Sequence, residues 1–240
     1  MNKYFIFRFV KIFNFKIVFS KIRLLIFSLI KKPQYIFLKN KKFFLYNGQD
    51  KEIITPSKYL YSYRDLYEKK EINFLNKKNL KLNGAIDVGA NIGFYSFFLL
   101  NKIVKNQLLY IFEPKKKLNS LIIKNCSPFS NFKIINKKVG RKKNNITLDS
   151  VIKKRVDFIK IDVDGKELDV LKGAKKIIDK YKPKILVEIA EDSFLLHKIH
   201  YKDVVNFLIN KRYCCHEIND YPKIFTRTLF KGEVINLYCE

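Results

Sequence analysis

From residue 84 onward, short apolar runs alternate with segments of helical period, and no other feature of the chain constrains its fold as much. The runs are "AIDV" (85–88), "LLYIFE" (108–113), "FKIIN" (132–136), "VDFIKIDV" (156–163) and "KILVEI" (184–189). Runs apolar on both faces suit strands covered on both sides, and strands alternating with helices build βαβ units and a parallel sheet. The best-marked helical segment follows Gly165. In "KELDVLKGAKKIIDKYKP", Leu168, Leu171, Ala174 and Ile178 share one stripe, Glu167 occupies the first turn and Pro183 lies just beyond the end. This predicts one helix over about 166–182. A helix over about 201–212 and two late strands, "YCCHEI" and "VINLYC", complete the sheet.

In open parallel sheets, ligands bind beyond the carboxyl ends of the strands, where strand order reverses. The first run ends in "DVGANIGFYS". Gly89 and Gly93 bracket this turn and permit positive φ and close backbone approach, and Asn91 can accept from the amides that open the next helix. The spacing of Gly89, Asn91 and Gly93 is not the dinucleotide fingerprint. Asp87 also opposes a dinucleotide, because its carboxylate would face the pyrophosphate. S-adenosylmethionine reverses the sign, since it brings an ammonium and a sulfonium to that acid. Glu113 ends the next strand, where a carboxylate can accept both ribose hydroxyls. It points to an adenosyl ligand without choosing between these two.

These residues belong to a longer series: "DVGANIGFYS", then "FEP" with Leu121 and Asn125 after it, "TLDS" (147–150), "VDFIKIDVDGKELDVLKGA" (156–174) and "KPKILVE" (182–188). Over roughly 84–190 the series resembles the FkbM family of S-adenosylmethionine-dependent methyltransferases. The resemblance implies an α/β, Rossmann-like class I methyltransferase fold: a seven-stranded, mostly parallel sheet with its last strand antiparallel and helices on both faces. It also implies methyl transfer to a hydroxyl oxygen, often on a sugar, glycan or glycosylated small molecule. Carried over residue by residue, Asp87, Gly89, Asn91 and Gly93 would hold the methionine part and Glu113 the ribose. The chain departs from the family's "DVEG" at Asp164-Gly165, where a shorter acid keeps the charge but shifts its reach.

Methyl transfer to a hydroxyl needs alignment and a base for the departing proton. By the two-residue period Phe158, Lys160, Asp162 and Asp164 share one side of their strand. Asp162 is the expected base, with Glu188 as second choice. A tightly held acid in this place would also suit Mg²⁺, and nothing in the spacing decides whether a metal is used. Lys160 needs a carboxylate partner, Asp162 or Asp87, because an unpaired buried ammonium is costly. Its expected role is a structural ion pair. His197 and His200 follow the fifth strand closely enough to reach an acceptor cleft, though an exposed loop pair is the commoner outcome.

The lead-in differs. Residues 1–48 are basic and aromatic, and 49–240 form the expected methyltransferase domain. "MNKYFIFRFVKIFNFKIVFSKIRLLIFSLIKK" mixes large apolar residues with lysines too often for a spanning helix, and no cleavage site follows it. Such a segment can lie on an anionic membrane or pack on the domain, and the charges form no single clean face. "YIFLKNKKFFLYNG" (35–48) predicts a hairpin-like strand pair ending at Asn47-Gly48, and residues 57–80 read as helical. The net charge of +27 is nearly all lysine amid Ile, Asn, Phe and Tyr, as AT-rich codons produce, so a solvated coat is expected before a nucleic-acid surface. It keeps two alternatives open: an RNA or protein methyltransferase on the same fold, and a non-catalytic basic module at an anionic membrane or nucleic acid. Against the first, "DVDG" stands where "NPPY" or "DPPY" would mark amino methylation. Cys126, Cys214, Cys215 and Cys239 show no metal or disulfide spacing and read as reduced thiols of a cytoplasmic protein.

Overall fold

The computed structural model describes residues 15–29, 34–46, 51–63, 67–197 and 199–240. The chain divides into two compact units, 1–69 and 70–240.

In the first unit, helix α1 (Phe15–Leu29) and helix α2 (Lys51–Tyr63) accompany an antiparallel pair, β1 (Gln34–Leu38) and β2 (Lys41–Leu45). Lys39 and Asn40 both have positive φ, the conformation a tight two-residue hairpin turn requires. The expected hairpin is thus present, but it turns at 39–40; Asn47-Gly48 lies outside the described residues, as do residues 1–14 of the basic segment. Phe27 of α1 meets Tyr61 of α2 at 5.2 Å between ring centroids, and the Tyr46 amide donates to Ser57 Oγ at 2.8 Å. Helix α2 packs on α1 and β2 and so belongs with them to the 1–69 unit.

Helix α3 (Lys69–Lys77) begins at the boundary, and the second unit continues as β3 (Ala85–Val88), α4 (Phe94–Leu100), β4 (Leu109–Phe112), α5 (Lys116–Cys126) and β5 (Phe132–Ile135). Then come α6 (Leu148–Val151), β6 (Phe158–Ile161), α7 (Glu167–Lys172), α8 (Lys175–Tyr181) and β7 (Lys184–Ala190). Helices α9 (Glu191–Leu196) and α10 (Tyr201–Asn210) and strands β8 (Cys215–Glu217) and β9 (Val234–Cys239) close the unit. Among the described residues the sheet has seven strands in the order β5-β4-β3-β6-β7-β9-β8. β9 alone runs antiparallel to its neighbours. Every residue of β3, β4 and β6 is buried, as strands between two helical layers must be. The chain winds outward from β3 through β4 to β5, then returns to β6 on the other side of β3. Strand order therefore reverses at β3/β6, and the carboxyl ends of these strands frame the natural ligand crevice.

Two expectations change. The segment after Gly165 forms two short helices, broken at Gly173-Ala174. Asp149, in the "TLDS" turn, supplies the reason: its carboxylate accepts from the amides of Lys176 and Ile177 at 2.9 and 3.0 Å, and its own amide donates to Gly173 O at 3.0 Å. These bonds cap α8 from outside and end α7 early. Cys215 and Cys239 stand opposite one another in the β8/β9 register and are joined as a disulfide, which corrects the expectation of four reduced thiols. Strand register brings them together across 24 residues, and sequence spacing carries no trace of that.

Candidate active site

The turn after β3 is tied to the end of β4. The amides of Gly89 and Ala90 donate to Phe112 O at 3.0 and 3.2 Å, and the amide of Asn91 donates to Glu113 Oε2 at 2.9 Å. Glu113 Oε1 accepts from the Lys115 amide at 2.8 Å. Gly89 is required by close approach, since a Cβ there would collide with the Asp162 carbonyl of the neighbouring strand end. Gly93, at φ 82°, is the N-cap residue of α4 and has no side-chain cap. Asn91 adopts φ 51°, and its side-chain Oδ1 is buried without a hydrogen-bond partner. The expected capping role of Asn91 is not what the structure holds: its backbone, not its side chain, makes the bond, and that bond goes to Glu113.

Asp87 is fully buried. Its Oδ2 accepts from the Ser96 hydroxyl in the first turn of α4 at 2.5 Å, and its Oδ1 has no partner. Burial pushes the carboxyl above its ordinary pKa, against the pull of Lys160 and of the Ser96 hydroxyl. Burial likewise raises Glu113, opposed by the amides of Lys115 and Asn91. The turn has therefore spent three amides internally and presents unsatisfied acceptors. Such a site suits a ligand that donates hydrogen bonds and carries positive charge, and it repels a pyrophosphate.

Across the switch point, Lys160 of β6 is in register with Asp87 of β3. Its ammonium lies 2.8 Å from Asp162 Oδ2 and 4.5 Å from the Tyr95 ring centroid. Burial opposes its charge, but Asp162, Asp87 and Glu188 outweigh that penalty and hold it protonated. Lys160 is thus a fixed cation bonded to Asp162 and within the electrostatic reach of Asp87 and Glu188. Asp162 and Glu188 are both half-buried, on adjacent strand ends, while Asp164 is exposed in the left-handed region. His200 caps α10, with Nδ1 accepting from the Lys202 amide at 3.1 Å. His197 lines a separate basic cleft.

Glu167 was legible only as a first-turn helix acid. In the fold it is buried and its Oε1 accepts from the amides of Val163 and Gly165 at 3.1 and 3.2 Å, so it shapes the loop that follows Asp162. Its Oε2 has no partner, and burial raises its pKa to about 7. Among the described residues, no three His, Cys, Asp or Glu side chains cluster so as to hold a metal ion.

The family model for the methyltransferase FkbM domain matches residues 125–213, from the end of α5 to just past α10, and leaves out the glycine turn. No curated protein matches the chain. Among solved structures, methyltransferase FkbM from Methylobacillus flagellatus KT aligns with a TM-score of 0.53 at 16% identity, covering 93% of this chain and 60% of that one. This chain thus spans less than two thirds of that protein's length. A putative rRNA-methylase from Clostridium thermocellum aligns at TM-score 0.51 and 15% identity, over 72% of this chain and 95% of that one. The N-methyltransferase NodS from Bradyrhizobium japonicum WM9, solved with S-adenosyl-L-homocysteine, aligns at 0.51 and 11% identity, over 72% and 85%. What is shared at these identities is the fold, the Rossmann-like class I methyltransferase architecture seen in the second unit.

Proposed function

We propose that this chain, whose residues 125–213 match the methyltransferase FkbM domain model, is a methyltransferase of that kind and transfers a methyl group from S-adenosylmethionine to a hydroxyl of a sugar, glycan or glycosylated small molecule. The observation that carries this reading is the pair of buried oxygens without partners, Asp87 Oδ1 and Asn91 Oδ1, at a turn whose Gly89, Ala90 and Asn91 amides are already engaged. A methionine ammonium supplies the donors these oxygens lack. Asp87, Gly89, Asn91 and Gly93 are assigned to the methionine part of the donor. Glu113 is assigned to the ribose: each of its oxygens takes one amide and keeps a lone pair for a hydroxyl.

The bound donor supplies a methyl carbon already activated by the sulfonium. The chain's own task is to orient the acceptor and remove its proton. Asp162 is assigned as the base. Lys160 fixes its Oδ2, leaving Oδ1 to accept the acceptor's hydroxyl proton, and Glu188 is the alternative on the next strand. Lys160 itself, held protonated, positions the carboxylates and stabilises negative charge as the hydroxyl loses its proton. The test is incubation with methyl-labelled S-adenosylmethionine and hydroxyl-bearing glycans, glycolipids and RNA. Label on a glycan oxygen supports the reading. Label on RNA moves the assignment to the RNA-methyltransferase alternative, and absence of S-adenosylhomocysteine binding removes the donor assignment.

We further propose a peripheral membrane location, supported by α1. Ser20 and Phe27 are buried on one side of this helix, while Phe19, Ile22, Leu25, Ile26 and Leu29 are exposed. At 100° per residue the exposed five fall opposite the buried pair, flanked by Lys21 and Arg23. Apolar residues edged by cations match an anionic bilayer surface. No helix among the described residues is long and apolar enough to cross a membrane. Flotation with anionic vesicles that is lost in Leu25→Asp/Leu29→Asp supports this placement, and unchanged flotation overturns it.

A further inference from the structure

The loop after β5 brings Lys138, Arg141 and Lys142 against Lys166 and Lys172 of the α7 region, and with His197 they line a cleft of about 310 Å³. That volume is at the lower end of small-molecule pockets, roughly 300–1,000 Å³. None of Asp87, Asn91, Glu113 or Asp162 lines it. One carboxylate, Asp169, faces the cleft, and it is already committed. It accepts from the Arg141 amide at 2.8 Å and from Arg141 Nε at 3.1 Å. Gly140 permits this, because a Cβ there would strike the Asp169 carboxylate. The guanidinium is therefore held in place, and among the described residues no carboxylate pairs with Lys138, Lys142, Lys166 or Lys172.

The cations also converge. Lys138 and Lys166 both line the cleft, and Lys138, burial and the nearby Lys142 push the Lys166 pKa down against the pull of Asp164. A solvated coat spreads like charges apart; here the fold forces them together in a concavity. Their mutual repulsion is relieved when an anion with several acceptor oxygens enters. The concave shape and modest volume suit a compact anion better than a polymer that tracks along a surface.

We propose that this cleft binds the phosphate or diphosphate group of a phosphorylated small molecule. Resting on the methyl-transfer reading, that molecule is the acceptor, because residues 162–166 form one loop with the assigned base Asp162 at one end and the cleft residue Lys166 at the other.

The experiment is calorimetric titration of pyrophosphate into the full chain with S-adenosylhomocysteine present, at about 0.15 M salt. Wild type is expected to bind, and Lys138→Gln/Lys166→Gln to bind about tenfold more weakly or worse, with unchanged affinity for S-adenosylhomocysteine. Both lysines lie at the surface and repel one another, so the melting temperature of the variant is expected not to fall. Lys142→Gln/Lys172→Gln serves as an independent second variant. Absence of pyrophosphate binding at millimolar concentration, or equal affinity in wild type and both variants, overturns the proposal. Binding of a short RNA that is tighter than pyrophosphate and lost in the same variants also overturns it, in favour of a polymer. Loss of S-adenosylhomocysteine binding in wild type while pyrophosphate still binds would instead sink the donor assignment alone. Methyl transfer that is equally fast to acceptors dephosphorylated before the reaction refutes the acceptor assignment.

Discussion

The ammonium of Lys160 lies 2.8 Å from Asp162 Oδ2 and is in register with Asp87 on the adjacent strand, so one buried cation neutralises the acids on both sides of the switch point. Lys160→Met is expected to destabilise the fold by about 3–5 kcal/mol, because the carboxylates it compensates stay buried without it. Urea unfolding measures this. Adding Asp87→Asn to the Lys160→Met chain should recover part of the loss, and independent, additive effects would refute the coupling.

Asp162→Asn keeps the shape of the strand end and removes the proton acceptor. The methylation rate is expected to fall about 10²–10⁴-fold, while the Kd for S-adenosylhomocysteine stays nearly unchanged. Should Glu188→Gln cost more rate than Asp162→Asn, the base assignment passes to Glu188.

Glu113→Ala leaves the amides of Asn91 and Lys115 without their acceptor. A cost of about 1–3 kcal/mol in stability is expected, together with at least about tenfold weaker binding of S-adenosylhomocysteine. Glu113→Asp tests geometry alone. It retains the charge, and its shorter reach should weaken binding with less loss of stability.

Glu167 titrates at about 7 in the folded chain and near its ordinary value of 4.5 in the unfolded one. Between these values the folded state binds more protons, so the stabilisation from the neutral carboxyl is complete below pH 4.5 and is lost as pH rises through 7. The size is a few kcal/mol at most, taking about 1.4 kcal/mol per unit. Glu167→Gln should flatten this part of the stability profile in urea unfolding from pH 4.5 to 8. An unchanged slope would show that Glu167 does not titrate in this window.

The βαβ rhythm was readable because strands covered on both faces must be apolar throughout, and the "AIDV" and "FIKI" runs announce that burial directly. The charged groups in the strands were readable for the opposite reason: Asp87 and Lys160 break apolar runs, and such a break is costly unless it serves a purpose. The pairing of Lys160 with Asp162 was readable from the cost of an unpaired ammonium, but the partners of Asn91 and Glu113 were not. Asn91 was expected to cap a helix with its side chain, and instead its backbone binds Glu113, because the turn folds back against the end of β4.

By itself, then, the order of residues determined the layered α/β architecture and the charged groups carried by its central strands. These depend on local period and on the cost of burying charge, both of which act along the chain. Only the tertiary structure decided that Asp149 splits one helical stripe into α7 and α8, that Cys215 meets Cys239, that Glu167 shapes the loop after Asp162 and that lysines from two distant segments converge in one cleft. Each of these joins residues whose separation in sequence bears no relation to their distance in space. Strand order and register fix such pairs, and packing sets those only once the sheet has formed.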